Sequence, residues 1–280
     1  MPKLGISMTP QANTPSPDAR HTRRLSARPV PWLAANEDFP PLNAAWGERD
    51  PAPGLLAAGG ALDVPTLVRA YRLGIFPWFS AGQPILWWSP DPRMVLRTEH
   101  FRLHRSLRKT LVRFIADPNC EVRIDSAFTE VVEHCAAKPR AGQSGTWIVP
   151  EMVKAYGALH RAGHAHSIET WIDGELAGGL YCVNLGRVVF GESMFANRTD
   201  ASKIALAALV AFCRANGIAM IDCQQNTGHL ASLGACEISR FDFAFQLGEN
   251  VVKSAPAWQF DALYWRQILT ARKAGTPAPP

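Results

Sequence analysis

Between Ile218 and Cys236 the chain reads I-A-M-I-D-C-Q-Q-N-T-G-H-L-A-S-L-G-A-C, and the chemistry available there belongs to Asp222, Cys223 and Gln224. Apolar residues lead into these three and polar, Gly-containing sequence follows, the pattern of a buried strand that ends in a cleft. Side chains two apart on a strand point the same way, so the Asp222 carboxylate and the Gln224 carboxamide share a face and Cys223 turns toward the other layer. Such a pair can orient an attacking amine. The same polar end can also simply cap the next helix, with Asn226 or Thr227 as N-cap. A thiol nucleophile at Cys223 is disfavoured by its opposite direction and by the lack of a nearby basic motif.

Other candidates are weaker. His160, His164 and His166 suggest a metal cluster, and the two on the expected strand share a face. No third ligand stands at a convincing spacing, so no metal site is expected. The six cysteines, Cys120, Cys135, Cys182, Cys213, Cys223 and Cys236, show no C-x-x-C spacing and read as reduced and structural.

Charge is unevenly spread. Residues 1–30 carry +4 and residues 97–113 carry +5, so the rest of a chain with net charge +5 is mildly acidic. The second basic group sits on a helical pattern: Leu103, Leu107, Leu111 and Phe114 form one apolar stripe, leaving Arg102, Arg105, Arg108, Lys109 and Arg113 for other faces. A basic helix on an acidic body suits an anionic partner held at one place. No apolar run approaches the roughly 20 residues of a membrane helix, and the composition is 47% apolar and 19% charged. Together these imply a soluble, cytoplasmic protein without membrane contact.

These residues must be positioned by elements that can be read in order. Residues 1–30 are expected to be a disordered leader and residues 31–98 a small domain rich in Pro, Gly and Trp. Within that domain Asp63 caps a short helix that has Pro65 in its first turn and carries Leu67, Val68 and Tyr71 inward. Trp78 stands out among five tryptophans because Pro77 and Ser80 place it in a turn. A helix is predicted over 101–115, a strand over 121–124, a helix capped by Asp125 or Ser126, and a helix opened by Pro150. Three antiparallel strands follow, over 164–172, 175–183 and 187–195, joined by tight turns at Asp173-Gly174 and at N-L-G. Thr199 or Asp200 caps a strongly apolar helix over 201–216. The strand ending at Gln224, a helix over 227–233, a strand over 237–241 and a helix over 242–250 complete a domain over 99–252, with an extension and flexible tail over 253–280.

The fold class is therefore α+β: a small aromatic-rich domain followed by an acetyltransferase-like (GNAT) domain with a mixed, mostly antiparallel sheet. Domains of that kind split between their fourth and fifth strands, which would bring Glu192 and the Asp222/Gln224 strand to one cleft. The coenzyme-A users among them have a glycine-containing loop before the central helix. Here that loop reads S-M-F-A-N-R-T-D-A-S-K, without glycine, so the acyl donor is not expected to be coenzyme A.

G-I-F-P-W-F-S, W-W-S-P-D-P-R, G-H-A-H-S-I-E, G-E-S-M-F followed by A-S-K, and I-D-C-Q-Q-N-T-G-H-L-A-S-L-G-A occur in this order across residues 38–245. Together they resemble the leucyl/phenylalanyl-tRNA–protein transferases of the bacterial N-end rule pathway. The resemblance implies transfer of Leu or Phe, and less well Met, from aminoacyl-tRNA to proteins beginning with Arg or Lys, with no cofactor. It implies that Gln224 accepts a hydrogen bond from the attacking amine, that Asp222 fixes and polarises that amide, and that Glu192 binds the donor's α-amino group or the acceptor. Leu180, Met194, Leu206 and Ile221 would line the pocket for the transferred side chain. Trp78, Trp147 and Tyr156 would hold the 3′-terminal adenosine, and Arg102, Arg105, Arg108, Lys109 and Arg113 would follow the acceptor-stem phosphates. The rival readings are a coenzyme-A-dependent N-acyltransferase and a non-catalytic RNA-binding module.

Overall fold

A computed structural model of the chain describes residues 29–137 and 148–270. The expected disordered leader, Trp147 with the loop before it, and the last residues of the expected tail lie outside the described residues.

Near the N-terminus Asp63 accepts the backbone N–H of Thr66 at 2.8 Å, and Pro65 occupies the first turn of α1 (Val64–Arg72). The first turn has donors without intrahelical partners, so a capping carboxylate and a residue lacking an N–H both fit there. Leu67 and Tyr71 are fully buried, as their spacing predicts. Around α1 lies a four-stranded sheet in the order β1-β2-β4-β3, made of β1 (Trp32–Leu33), β2 (Leu55–Gly59), β3 (Phe76–Pro77) and β4 (Leu86–Trp88).

The larger sheet has seven strands: β5 (Arg93–Arg97), β6 (Cys120–Ile124), β7 (Ala165–Ile172), β8 (Glu175–Leu185), β9 (Val188–Ala196), β10 (Met220–Gln224) and β11 (Cys236–Ile238). Their order is β11-β5-β10-β9-β8-β7-β6, and only the β9–β10 pair is parallel. The hairpin between β7 and β8 turns on Asp173 and Gly174, both at positive φ (55° and 76°), as a two-residue turn that follows the strand twist requires. β5, within the span expected for the small N-terminal domain, lies between β11 and β10 inside the larger sheet.

The helices are α2 (Arg105–Ala116), α3 (Phe128–Ala137), α4 (Pro150–Arg161), α5 (Ala201–Ala215), α6 (Gly228–Ser232), α7 (Arg240–Val251) and α8 (Arg266–Leu269). α2 starts later than the apolar stripe suggests: His104 is still extended, with ψ 152°, and the Arg102 N–H before it donates to the Leu233 carbonyl at 2.8 Å. β11 is shorter than expected because Ser239 leaves the strand to cap α7, accepting the Asp242 N–H at 3.0 Å. Asp200 stands at the N-cap position of α5 without a capping bond; its carboxylate holds Lys203 Nζ at 2.8 Å.

One face of the larger sheet packs on α2, α5 and the C-terminal segment, where Trp265 and Ile268 are buried. The other face shares a continuous core with α1, α3, α4, α7 and the small sheet. Within the expected extension, Trp258, Phe260, Tyr264, Trp265, Ile268 and Leu269 pack on the face that carries α2 and α5. No helix among the described residues is long and apolar enough to cross a membrane.

Candidate active site

β9 and β10 run parallel, but only Ile221↔Val189 and Asp222↔Phe190 are paired. Beyond those pairs each strand carries an irregularity. On β9, Tyr181 pairs with Ser193 and Cys182 with Gly191, so Glu192 is the extra residue; on β10, Asp222 pairs with Val95 and Gln224 with Met94, so Cys223 is extra. Bulges bend a strand and re-aim its side chains. The two strands therefore open onto a cleft of ≈ 590 Å³.

Leu180, Met194, Leu206 and Ile221 all line the cleft, and Phe76, Pro77 and Trp78 of the N-terminal sheet close another side. Trp78 is half-buried and meets Trp88 edge-on at 5.4 Å.

Glu192 and Gln224 meet at the cleft wall. Gln224 Nε2 donates to Glu192 Oε1 at 3.3 Å, Tyr71 Oη donates to the same oxygen at 2.7 Å, and Tyr156 Oη donates to Oε2 at 2.7 Å. Burial, and next the charge of Glu192, push both phenols well above their ordinary range, so both stay protonated donors. Burial also pushes the Glu192 carboxyl up to about 7, against the pull of the two tyrosine hydroxyls. A carboxylate can only accept, so it fixes the carboxamide with its NH2 toward Glu192 and leaves the Gln224 carbonyl oxygen for an incoming N–H.

Several expectations need correction. Asp222 does not touch the Gln224 carboxamide: its Oδ1 accepts the backbone N–H of Gln224 at 3.0 Å, and both of its oxygens engage Arg93, at 2.8 and 2.6 Å. Asp222 and Gln224 do not act as one strand face, because the bulge at Cys223 breaks the alternation and Gln224 sits at φ 56°. Cys223 faces the cleft instead of the other layer, and burial pushes its thiol far above the usual range, so it stays uncharged. Tyr156 is fully buried, with its ring edge-on to Tyr181, so it offers no open face for stacking.

The basic residues divide. Arg102, Arg105, Lys109 and Arg113 are exposed, whereas Arg108 donates to the carbonyls of Leu269 and Ile268 at 2.7 and 3.4 Å. Among the histidines, His160 stacks on Phe128, and His166 stacks on Trp258 with Nδ1 at 2.6 Å from Asp125. Among the described residues no group of three or more His, Cys, Asp or Glu side chains is placed to hold a metal ion.

A family model described as leucyl/phenylalanyl-tRNA protein transferase matches residues 95–248, and the model of that family's N-terminal domain matches residues 60–91. A leucyl/phenylalanyl-tRNA–protein transferase of Polaromonas sp. is 72% identical over 250 residues, which span 89% of this chain and 98% of that protein. The chain belongs to this family. A second relative of the same name, from Albidiferax ferrireducens, is 62% identical over 248 residues, 89% of this chain and 98% of that protein. Among solved structures, a functionally unknown conserved protein from Staphylococcus epidermidis covers 66% of this chain and 68% of its own at 10% identity and a TM-score of 0.36, too low a likeness to bear on function.

Two residues that hold the cleft wall escape a reading of the sequence. Tyr71 reads as one more core position of α1, and Arg93 stands only as the last residue of the W-W-S-P-D-P-R string. Both carry their meaning in contacts to residues 121 and 129 positions away. A cation placed directly before the apolar run M-V-L was the one available signal, since a buried arginine requires a partner.

Proposed function

We infer that the protein transfers Leu or Phe, and less well Met, from aminoacyl-tRNA to the N-terminal α-amine of proteins beginning with Arg or Lys, marking them for degradation in the cytoplasm. The observation that carries this reading is the apolar cleft between β9 and β10, with Glu192 and Gln224 joined at its wall. The divergence of those strands supports an acetyltransferase-like catalytic domain.

The reaction is aminolysis of an activated ester: the C–N bond forms as the C–O bond to the ribose breaks, and an amine proton ends on the ribose oxygen. Leu180, Met194, Leu206 and Ile221 take the transferred side chain, and shape selects against β-branched residues by ~1–3 kcal/mol per misfit methyl. Gln224 accepts a hydrogen bond from the amine and aligns it; a carboxamide is too weakly basic to take the proton outright. Glu192 anchors the carboxamide and offers its charge to an ammonium group. Trp78 stacks on the 3′-terminal adenosine, while Tyr156 acts from behind Glu192. Arg102, Arg105, Lys109 and Arg113 follow the acceptor-stem phosphates.

The test is transfer of labelled Leu or Phe from charged tRNA to a peptide beginning with Arg or Lys. Absence of transfer, with intact charged tRNA and peptide, would overturn the reading.

A further inference from the structure

Arg93 is 1% exposed, and its guanidinium is used on every side. Nε and Nη2 clasp the two carboxylate oxygens of Asp222, Nη1 donates to the Gly74 carbonyl at 3.1 Å, and Cζ lies 4.8 Å from the Phe76 ring centre and 4.5 Å from that of Phe243. Gly74 and Phe76 come from the segment after α1, Phe243 from α7, and Asp222 from β10. Arg93 is therefore where the N-terminal part of the chain grips the strand that bears Gln224. A guanidinium clasped in this way has little rotational freedom.

Asp222 passes that grip on. Its Oδ1, held by Arg93 Nε, also accepts the N–H of Gln224, the residue held at φ 56°. A non-glycine residue resists that conformation unless its surroundings enforce it. In that conformation the Gln224 carboxamide reaches Glu192 at 3.3 Å.

We propose that Arg93 is a positioning residue for aminoacyl transfer, acting through Asp222 to lock the backbone turn that aims the Gln224 carboxamide at Glu192 and the cleft. This rests on the reading of Gln224 as the group that aligns the amine. The charge of Asp222 then serves to hold Arg93, and what reaches Gln224 is a hydrogen bond to its backbone. A neutral acceptor could supply that bond, provided no unpaired charge is left buried.

The experiment compares the full-length wild type with R93M, R93K, D222N, the double variant R93M/D222N and Q224A. Turnover is measured at a temperature where circular dichroism shows each variant folded. R93M is expected to lower kcat by about tenfold or more, with KM for aminoacyl-tRNA within about threefold, because misplacing an aligned group acts on the chemical step. R93K, which keeps the charge and loses the fork, falls between R93M and wild type. In R93M/D222N the carboxamide oxygen introduced at position 222 still accepts the Gln224 N–H and no buried charge is unpaired. The double variant is expected to exceed D222N in kcat by about tenfold.

A double variant no faster than D222N would overturn the proposal, because the carboxylate charge would then be acting on the reaction itself. R93M with wild-type kcat would overturn it as well. If R93M does not fold, the comparison of R93M/D222N with D222N carries the test alone. Q224A with undiminished kcat would instead overturn the underlying reading of Gln224.

Discussion

The Tyr71 hydroxyl lies 2.7 Å from Oε1 of Glu192, although 121 residues separate them in the chain. One belongs to the short helix near the N-terminus and the other to a bulge of the large sheet, so the small N-terminal unit supplies a hydrogen bond to the wall of the cleft. The Y71F variant is expected to move the acid limb of the kcat/KM profile to higher pH. The hydroxyl lowers a carboxyl otherwise pushed up to about 7, so its loss lets the value climb further. Titrating the rate from pH 5.5 to 9 reads this directly, and an unmoved limb would detach Tyr71 from the chemistry.

The same carboxyl has a cost for stability. Its folded-state value of about 7 stands above the ordinary 4.5, so the unfolded chain releases this proton more readily. Stability therefore falls as pH rises from about 4.5 to 7, by up to about 3 kcal/mol from this group. Urea denaturation at a series of pH values is expected to show E192Q losing less stability than wild type across that window. Equal slopes for the two proteins would contradict the assignment.

Met194 is the half-buried member of the cleft's apolar wall, so it can be shortened without opening the core. The M194A variant is expected to favour Phe over Leu by about tenfold relative to wild type, since ~1–2 kcal/mol is typical for added room in an apolar pocket. Competition between the two charged tRNAs measures the ratio.

Removing the exposed cations Arg105, Lys109 and Arg113 together, each to Ala, is expected to weaken tRNA binding and to flatten the plot of log affinity against log salt. The slope should drop by about 2, given roughly 0.7–0.9 per phosphate contact. R108A is expected to do something else. Its guanidinium holds the Leu269 and Ile268 carbonyls, so the variant lowers the melting temperature and leaves the salt slope nearly unchanged.

Gly234, in the S-L-G-A stretch after α6, has φ 103°, and a Cβ there would lie 2.2 Å from the His100 carbonyl oxygen. G234A is expected to cost about 3 kcal/mol or more, combining a forbidden dihedral with a backbone collision. Thermal denaturation followed by circular dichroism would show it; a wild-type melting temperature would contradict this.

Local patterns were legible where one element explained them. The hairpin at Asp173-Gly174, the capped helix beginning at Val64 and the apolar run of α5 all follow from turn chemistry, capping and periodicity within the segment itself. The four apolar residues of the cleft were legible only through family resemblance, because Leu180, Leu206 and Ile221 are as buried as ordinary core. Bulges were not legible, and they decide the site. Strict alternation sends Cys223 away from the cleft, whereas one inserted residue turns it in and separates the tasks of Asp222 and Gln224. Arg93 depends on partners from three distant segments, which no local window contains.

The parallel strands β9 and β10 are each hydrogen-bonded on the outer side, β9 to β8 and β10 to β5. Widening the gap between them with both ladders intact requires the two halves of the sheet to part as units, at the expense of the Ile221↔Val189 and Asp222↔Phe190 pairs. On the proposed reading of the cleft, backbone spacing sets which aminoacyl groups fit, and the side chains that line the gap are the part of it that substitution can trim.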